Sequence, residues 1–217
     1  MSKEASDICC KRFSLGGLWT NGYLFYGSGE NRDAFFIDPG GDPKEVIEFL
    51  SSNNLTLKAV FLTHGHLDHL SGIEKFIPLV GEEIYISQED APSLKCPSEA
   101  AKVALRMECD GVEAFKTLSD GDVFSIGSLE VKVMATPGHT PGCVCYLVSG
   151  GDKKVLVSGD TLFAQSVGRT DLPGGDGDTL VRSLKKLAAL PDDLPVLPGH
   201  GPDTTIGRER SSNPYWP

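Results

Sequence analysis

The sequence predicts a layered α/β sandwich, and three observations carry that expectation. Short β-type runs precede helical patterns twice over, in two roughly similar halves of the chain. Residues 57–62 form an apolar run suited to a strand buried on both faces of its sheet. No internal repeat, low-complexity tract or linker-like stretch interrupts the pattern, so residues 1–217 are expected to form one domain.

The elements follow in order. β-type segments are expected at 12–15, 22–26 and 34–37, then a helix over 43–52 with Asp42 as its N-cap. The strand 57–62 ends at Thr63-His64-Gly65-His66-Leu67-Asp68-His69, and 70–80 is expected to be helical. Residues 92–107 predict one or two short helices, placed as a cap over a site. Ser119-Asp120-Gly121-Asp122 is turn-like between two short strands, and further strands are expected at 129–135, 144–148 and 154–157. Leu180, Val181, Leu184, Leu187 and Leu190 have helical spacing over 178–190, and Pro191 stops the helix. A last strand over 194–197 leads into Pro198-Gly199-His200-Gly201.

Charge and cysteine usage narrow the function. A formal net charge of −10 argues against nucleic acid as the main partner, because phosphate binding needs a basic footprint. It also disfavours docking on anionic lipid. The first twelve residues carry mixed charges without an apolar core, so no signal peptide is readable. No apolar run is long enough to span a bilayer. Adjacent Cys9-Cys10 and alternating Cys143 and Cys145 match neither a disulfide framework nor a zinc-ribbon spacing. A reducing cytoplasm is the expected location, with neither a nucleic-acid nor a membrane partner.

The histidines are the strongest signal. All five (His64, His66, His69, His139 and His200) fall at expected strand ends or in glycine-rich turns. In an extended stretch, residues two apart point to the same side, so His64 and His66 can share one ion. Asp68 and His69 follow as the chain turns, and the change of direction can aim them at a second ion. Imidazole and carboxylate suit zinc, iron or manganese without any thiolate. Each ion then needs donors from elsewhere, and His139, Asp160 and His200 are available at three further strand ends.

Thr63-His64-Gly65-His66-Leu67-Asp68-His69, the His139 turn, Gly159-Asp160 and Gly199-His200 together resemble the metallo-β-lactamase superfamily, from about residue 12 to the end of the chain. The resemblance implies a four-layer αββα sandwich with metals at one edge between the sheets. It implies one ion on His64, His66 and His139, a second on Asp68, His69 and His200, and Asp160 bridging them. Asp38, in Phe36-Ile37-Asp38-Pro39-Gly40, matches a position that supports the ligands from behind; a carboxylate satisfied by its own turn is the alternative.

Within the superfamily, Gly159-Asp160-Thr161-Leu162-Phe163 and Ser166-Val167-Gly168-Arg169-Thr170-Asp171 resemble the glyoxalase II branch, and the tail from Gly199 to Pro214 resembles its short members. That branch implies thioester hydrolysis, for example of a hydroxyacylglutathione, by a hydroxide generated on two divalent ions (zinc, iron or manganese, mixed pairs included). Asp68 is then the residue expected to accept a proton. Arg169 is the expected contact for an anionic substrate, or else the partner of Asp171 in its own loop. Long glyoxalase II enzymes add a C-terminal helical domain that grips glutathione, and no such domain is expected within residues 1–217. A monomer or a homodimer is equally compatible. The rival expectation is a mononuclear iron persulfide dioxygenase using His139, Asp160 and one of the first histidines, which the run from His139 to Cys143 resembles. A β-lactamase fits less well, because Asp160 stands where those enzymes generally lack a bridging carboxylate. The charge balance disfavours a ribonuclease, and a degenerate binding module would have lost ligands.

Overall fold

The computed structural model describes residues 7–217. The first sheet takes its strands in chain order: β1 (Ile8–Leu15), β2 (Thr20–Gly27), β3 (Asp33–Ile37), β4 (Thr56–Phe61), β5 (Ile84–Ser87) and β6 (Lys116–Leu118). Pairing is antiparallel through β3 and parallel from β3 to β6. The parallel steps need crossovers, and these carry α1 (Lys44–Ser52), α2 (Leu67–Leu70), α3 (Ile77–Val80), α4 (Ala91–Lys95) and α5 (Glu99–Leu105).

The second sheet is built from β7 (Val123–Ile126), β8 (Leu129–Ala135), β9 (Val144–Gly150), β10 (Lys153–Gly159), β13 (Pro195–Pro198) and β14 (Thr204–Thr205), with β14 and β7 at its edges. A small hairpin, β11 (Leu162–Phe163) and β12 (Ser166–Val167), and helix α6 (Gly177–Leu187) connect β10 to β13. Helix α7 (Ile206–Ser212) follows β14.

Alternation along the strands divides the core into three. Phe25, Phe35, Phe61, Val131, Tyr146 and Val157 face one another between the sheets. Leu24, Phe36 and Val60 turn the other way, onto Val46 of α1, Leu70 and Phe76. Cys145, Leu156 and Val196 turn outward onto Leu180, Leu184 and Leu187 of α6. Period-two strands with both faces apolar, each covered by amphipathic helices, give the four layers helix, sheet, sheet, helix. The fold is the expected αββα sandwich. Among the described residues, no helix is long and apolar enough to cross a membrane.

Two local expectations are corrected. Pro43 stands at the N-cap of α1, and Asp42 instead accepts the Lys44 amide from one residue further out, at 3.0 Å. Proline's fixed φ already suits a helix start, which displaces the carboxylate by one position. The continuous helix expected over 70–80 is three pieces: α2, a 3₁₀ turn (Ile73–Phe76) and α3. Gly72 explains the break. Its N–H donates to the Pro39 carbonyl at 2.8 Å, and a Cβ there would stand 1.9 Å from the Gly41 oxygen. The chain bends onto the loop after β3 instead of running straight.

Candidate metal centre

The seven predicted donors meet at one edge of the sandwich, on segments that leave β4, β8, β10 and β13. His64 and His66 follow β4, His139 follows β8, Asp160 follows β10 and His200 follows β13. Asp68 and His69 lie in the single turn of α2, so His69 is helical rather than in a loop. Their donor atoms form three overlapping groups, each with all atoms within 4.8 Å: His64, His66 and His139; His64, His69 and Asp160; Asp68, His69 and His200.

The pairwise distances give these groups a direction. His64 Nε2 and His66 Nδ1 are 3.1 Å apart, and His69 Nε2 and His200 Nε2 are 3.2 Å apart. Asp68 Oδ2 lies 3.2 Å from His200 Nε2. Asp160 spans the two ends: its Oδ2 is 3.6 Å from Nε2 of both His139 and His200, and its Oδ1 is 3.3 Å from His69 Nε2.

The outer nitrogens fix the tautomers. His69 Nδ1–H donates to Asp38 Oδ2 at 2.9 Å, and His139 Nδ1–H donates to the Arg169 carbonyl at 2.7 Å. His64 Nδ1 lies 3.0 Å from the Thr63 hydroxyl, which itself donates to Asp38 Oδ2 at 2.7 Å. Asp38 Oδ1 accepts the Thr63 amide at 2.8 Å. One buried carboxylate therefore orients a histidine from each end of the site, so that the Nε2 lone pairs of His64 and His69 point inward. Asp38 adopts φ +58°, a left-handed conformation uncommon for an aspartate, to present both oxygens this way.

The electrostatics differ across the cluster. Burial, aided by the neighbouring imidazoles, holds His64 well below the usual histidine range and pushes His66 down to about 4, leaving neutral donors there. At the other end burial alone would lower His69, but Asp160 and Asp38 outweigh it and raise it. His200 is raised against its own burial by Asp68 and Asp160. Asp68 and Asp160 are both held low, despite burial, chiefly by His200 and His69 respectively.

Divalent cations fit this arrangement. Two donor atoms, His139 Nε2 and Asp160 Oδ1, are buried without a hydrogen-bond partner among the described residues. A cation within reach of these donors would satisfy both.

Arg169 behaves differently. Its exposed guanidinium makes a two-pronged pair with Asp171 at 2.7 Å on each arm, while only its backbone carbonyl reaches the cluster. The 450 Å³ cleft beside it is lined by Val167, Thr170, Leu180, Val181, Leu184 and Tyr215, among others.

Several residues that support the cluster were not anticipated from the sequence. The Thr20 hydroxyl donates to Asp68 Oδ2 at 3.3 Å. The Asn21 side-chain amide donates to the Pro198 and Gly201 carbonyls, and Tyr23 Oη also donates to Pro198, which pins the His200 turn to β2. Asp90 contacts both histidine loops. Thr20 and Asn21 stand just before the strand expected over 22–26 and Tyr23 within it, and Asp90 stands in Gln88-Glu89-Asp90 like a surface acid, so none carried a distinctive sequence signal.

Two facing sheets with clustered imidazole and carboxylate donors along one edge define a metal-binding αββα sandwich. The sequence model of the Metallo-beta-lactamase superfamily matches residues 18–200, and the chain belongs to that superfamily. Hydroxyacylglutathione hydrolase GloC of Haemophilus influenzae is 36% identical over 193 residues, covering 86% of this chain and 88% of that protein. Among solved structures, the BLEG-1 B3 metallo-beta-lactamase has 35% identity and a TM-score of 0.86, covering 96% of this chain and 99% of its own. TTHA1623 in a di-iron-bound form has 33% identity and a TM-score of 0.80, covering 94% and 99%. ETHE1 from Myxococcus xanthus has 29% identity and a TM-score of 0.73, covering 95% and 83%.

Proposed function

We propose that this metallohydrolase is a thioesterase of the glyoxalase II type, acting on small hydroxyacyl thioesters such as hydroxyacylglutathione in the cytoplasm. The observation that carries this reading is the spread of seven donors toward two ends with Asp160 reaching both, which supports a pair of ions. The likeness to GloC over most of both chains supports the substrate class. His64, His66 and His139 would hold one ion, and Asp68, His69 and His200 the other, with Asp160 shared. Zinc, iron and manganese all suit these donors, singly or mixed, and the di-iron form of TTHA1623 supports iron as one of them. Bound there, the pair supplies a Lewis acid for the carbonyl and a water whose pKa falls toward neutrality.

The protein's own groups do the rest. Asp38 and Thr63 hold the His64 and His69 rings, and the Arg169 carbonyl holds His139. Asp68, braced by Thr20, accepts the proton released as water adds to the thioester carbonyl. The leaving thiolate, with a conjugate-acid pKa of roughly 8.5, needs no dedicated general acid. Arg169, on parting from Asp171, meets the anionic part of the thiol.

The test is release of free thiol from a hydroxyacylglutathione by metal-analysed protein, together with the Asp68→Asn variant. Rapid release with two ions per chain, abolished in a fully loaded Asp68→Asn protein, supports the reading. Normal turnover by that variant would remove Asp68 from proton transfer. A persulfide dioxygenase is the second reading, supported by the likeness to ETHE1. One iron per chain, with oxygen uptake on glutathione persulfide and no thiol release, would select it. The likeness to BLEG-1 makes a β-lactam the necessary control substrate; lactam turnover exceeding thioester turnover would replace the thioesterase reading.

A further inference from the structure

The two histidine loops that would hold one ion leave different sheets, and their separation has to be set by something other than the strands. Backbone pairing supplies one link, from the Val144 amide to the Thr63 carbonyl at 2.9 Å. Three further links converge on Asp90, which follows β5 and is 3% exposed. Its Oδ2 accepts the Gly65 amide at 2.8 Å, from the loop between His64 and His66. The same oxygen accepts the Thr140 hydroxyl at 2.6 Å, and Oδ1 accepts the Gly142 amide at 2.9 Å, both from the loop after His139.

The packing around this carboxylate leaves no slack. A Cβ on Gly142 would lie 2.6 Å from Asp90 Cγ, and one on Gly65 would lie 2.7 Å from Ser93 Cβ in the helix that Asp90 precedes. Both loops therefore carry a residue small enough to bring a backbone N–H against Asp90. Two amides and a hydroxyl satisfy it, and no Lys or Arg ion pair to it is formed among the described residues. All of its bonding is thus spent on joining the two loops.

We infer that Asp90 is a positioning residue for the metal centre: it clamps the His64–His66 loop to the His139 loop and thereby sets the geometry of that ligand set. The inference rests on the assignment of His64, His66 and His139 to one ion. Asp90 does not touch the ion or the substrate; it acts through the Gly65 and Gly142 amides and the Thr140 hydroxyl, each within three residues of a histidine. The set containing Asp68, His69 and His200 receives no bond from it and is unaffected.

Asp90→Asn is the discriminating substitution. An amide keeps the size of the carboxylate but turns an NH₂ toward either the Gly65 or the Gly142 N–H, donor against donor. Thr140→Val is a milder companion that removes one arm and leaves both amides bonded. Zinc affinity is measured by chelator competition at both sites, and cobalt absorption reports the coordination geometry. Hydrogen exchange of the Gly65 and Gly142 amides is followed in metal-free protein.

Asp90→Asn is expected to weaken one zinc site about 10- to 100-fold, in the range for partners that orient metal ligands, and to leave the other unchanged. The cobalt spectrum shifts, kcat falls with KM little altered, and the glycine amide that faces the NH₂ loses protection. Thr140→Val shows a smaller change in zinc affinity and cobalt spectrum, with both glycine amides still protected. Wild-type zinc affinity and spectrum in Asp90→Asn, with only the melting temperature lowered, would reduce Asp90 to a structural role and overturn the inference. Unaltered exchange of both amides would refute the clamp itself. Lost amide protection alongside two unchanged zinc sites would instead show that the His64, His66, His139 assignment is wrong, a failure of the metal reading that takes the inference with it.

Discussion

Asp38→Asn tests the orientation of the histidines most directly. Asp38 is 1% exposed and receives three hydrogen bonds, from the Thr63 amide, the Thr63 hydroxyl and His69 Nδ1–H. Asparagine is close in size and tolerates the left-handed φ of +58°, so the turn is retained. Its single oxygen cannot serve both positions. If the oxygen faces Thr63 N–H, the NH₂ meets His69 Nδ1–H. The imidazole can then relieve the clash by moving its proton to Nε2, which places an N–H where the lone pair pointed at His200 and Asp160, 3.2 and 3.3 Å away. If the oxygen faces His69, the Thr63 amide is left buried and unpaired. Either arrangement costs about 1–3 kcal/mol. Charged to metal binding at about 1.4 kcal/mol per tenfold, that is roughly a 5- to 150-fold loss, overlapping the usual 10- to 100-fold effect of such partners. Chelator competition measures the affinities and long-range ¹⁵N–¹H spectra of the metal-free protein report the His69 tautomer. Two ions per chain at wild-type affinity, with His69 still protonated on Nδ1, would refute the reasoning.

Three other outcomes follow from the packing and the charges. Phe61→Ala removes a fully buried ring that meets Phe35, Tyr85, Phe124 and Tyr146 at 5.0–5.7 Å between centroids. It should cost roughly 3–5 kcal/mol in urea unfolding, and a loss below about 1 kcal/mol would show that the cavity collapses. Arg169→Ala should leave the melting temperature unchanged, because the pair with Asp171 is exposed; KM for an anionic thioester should rise with kcat retained. An unchanged KM would leave Arg169 with only its backbone role. Burial raises the thiols of Cys143 and Cys145, the latter to about 11, and Cys109 likewise to about 11. With folded pKa values above that of a free thiol, these three remain protonated at pH 8, where exposed Cys96 reacts with a disulfide reagent; reaction of all four before unfolding would contradict the packing.

Much of the fold was legible because its strands are apolar on alternate or both faces, and α6 repeats Leu180, Leu184 and Leu187 at helical spacing. The donor residues were legible because they are chemically uncommon and cluster after strands. What local pattern could not show is contact between distant segments. Gly72 breaks a helix through a carbonyl more than thirty residues earlier in the chain, and Asp90 bonds Gly65 and Gly142 at separations of 25 and 52 residues. Thr63 stood beside His64 in plain view. Its part became visible only when Asp38, 25 residues away, was seen to receive it.

The donors also divide between the sheets. Each three-residue end takes two side chains from segments after β4 and one from the second sheet, His139 or His200. An ion held at either end would therefore cross-link the halves of the molecule, and the one shared by His69 and His200 would close a loop across a sequence separation of 131. Such a link exists only in the folded chain, so loading shifts the unfolding equilibrium by mass action. Metal supply would then bear on lifetime as well as turnover, since a molecule without ions would populate its unfolded form more often and meet proteases sooner than its loaded counterpart.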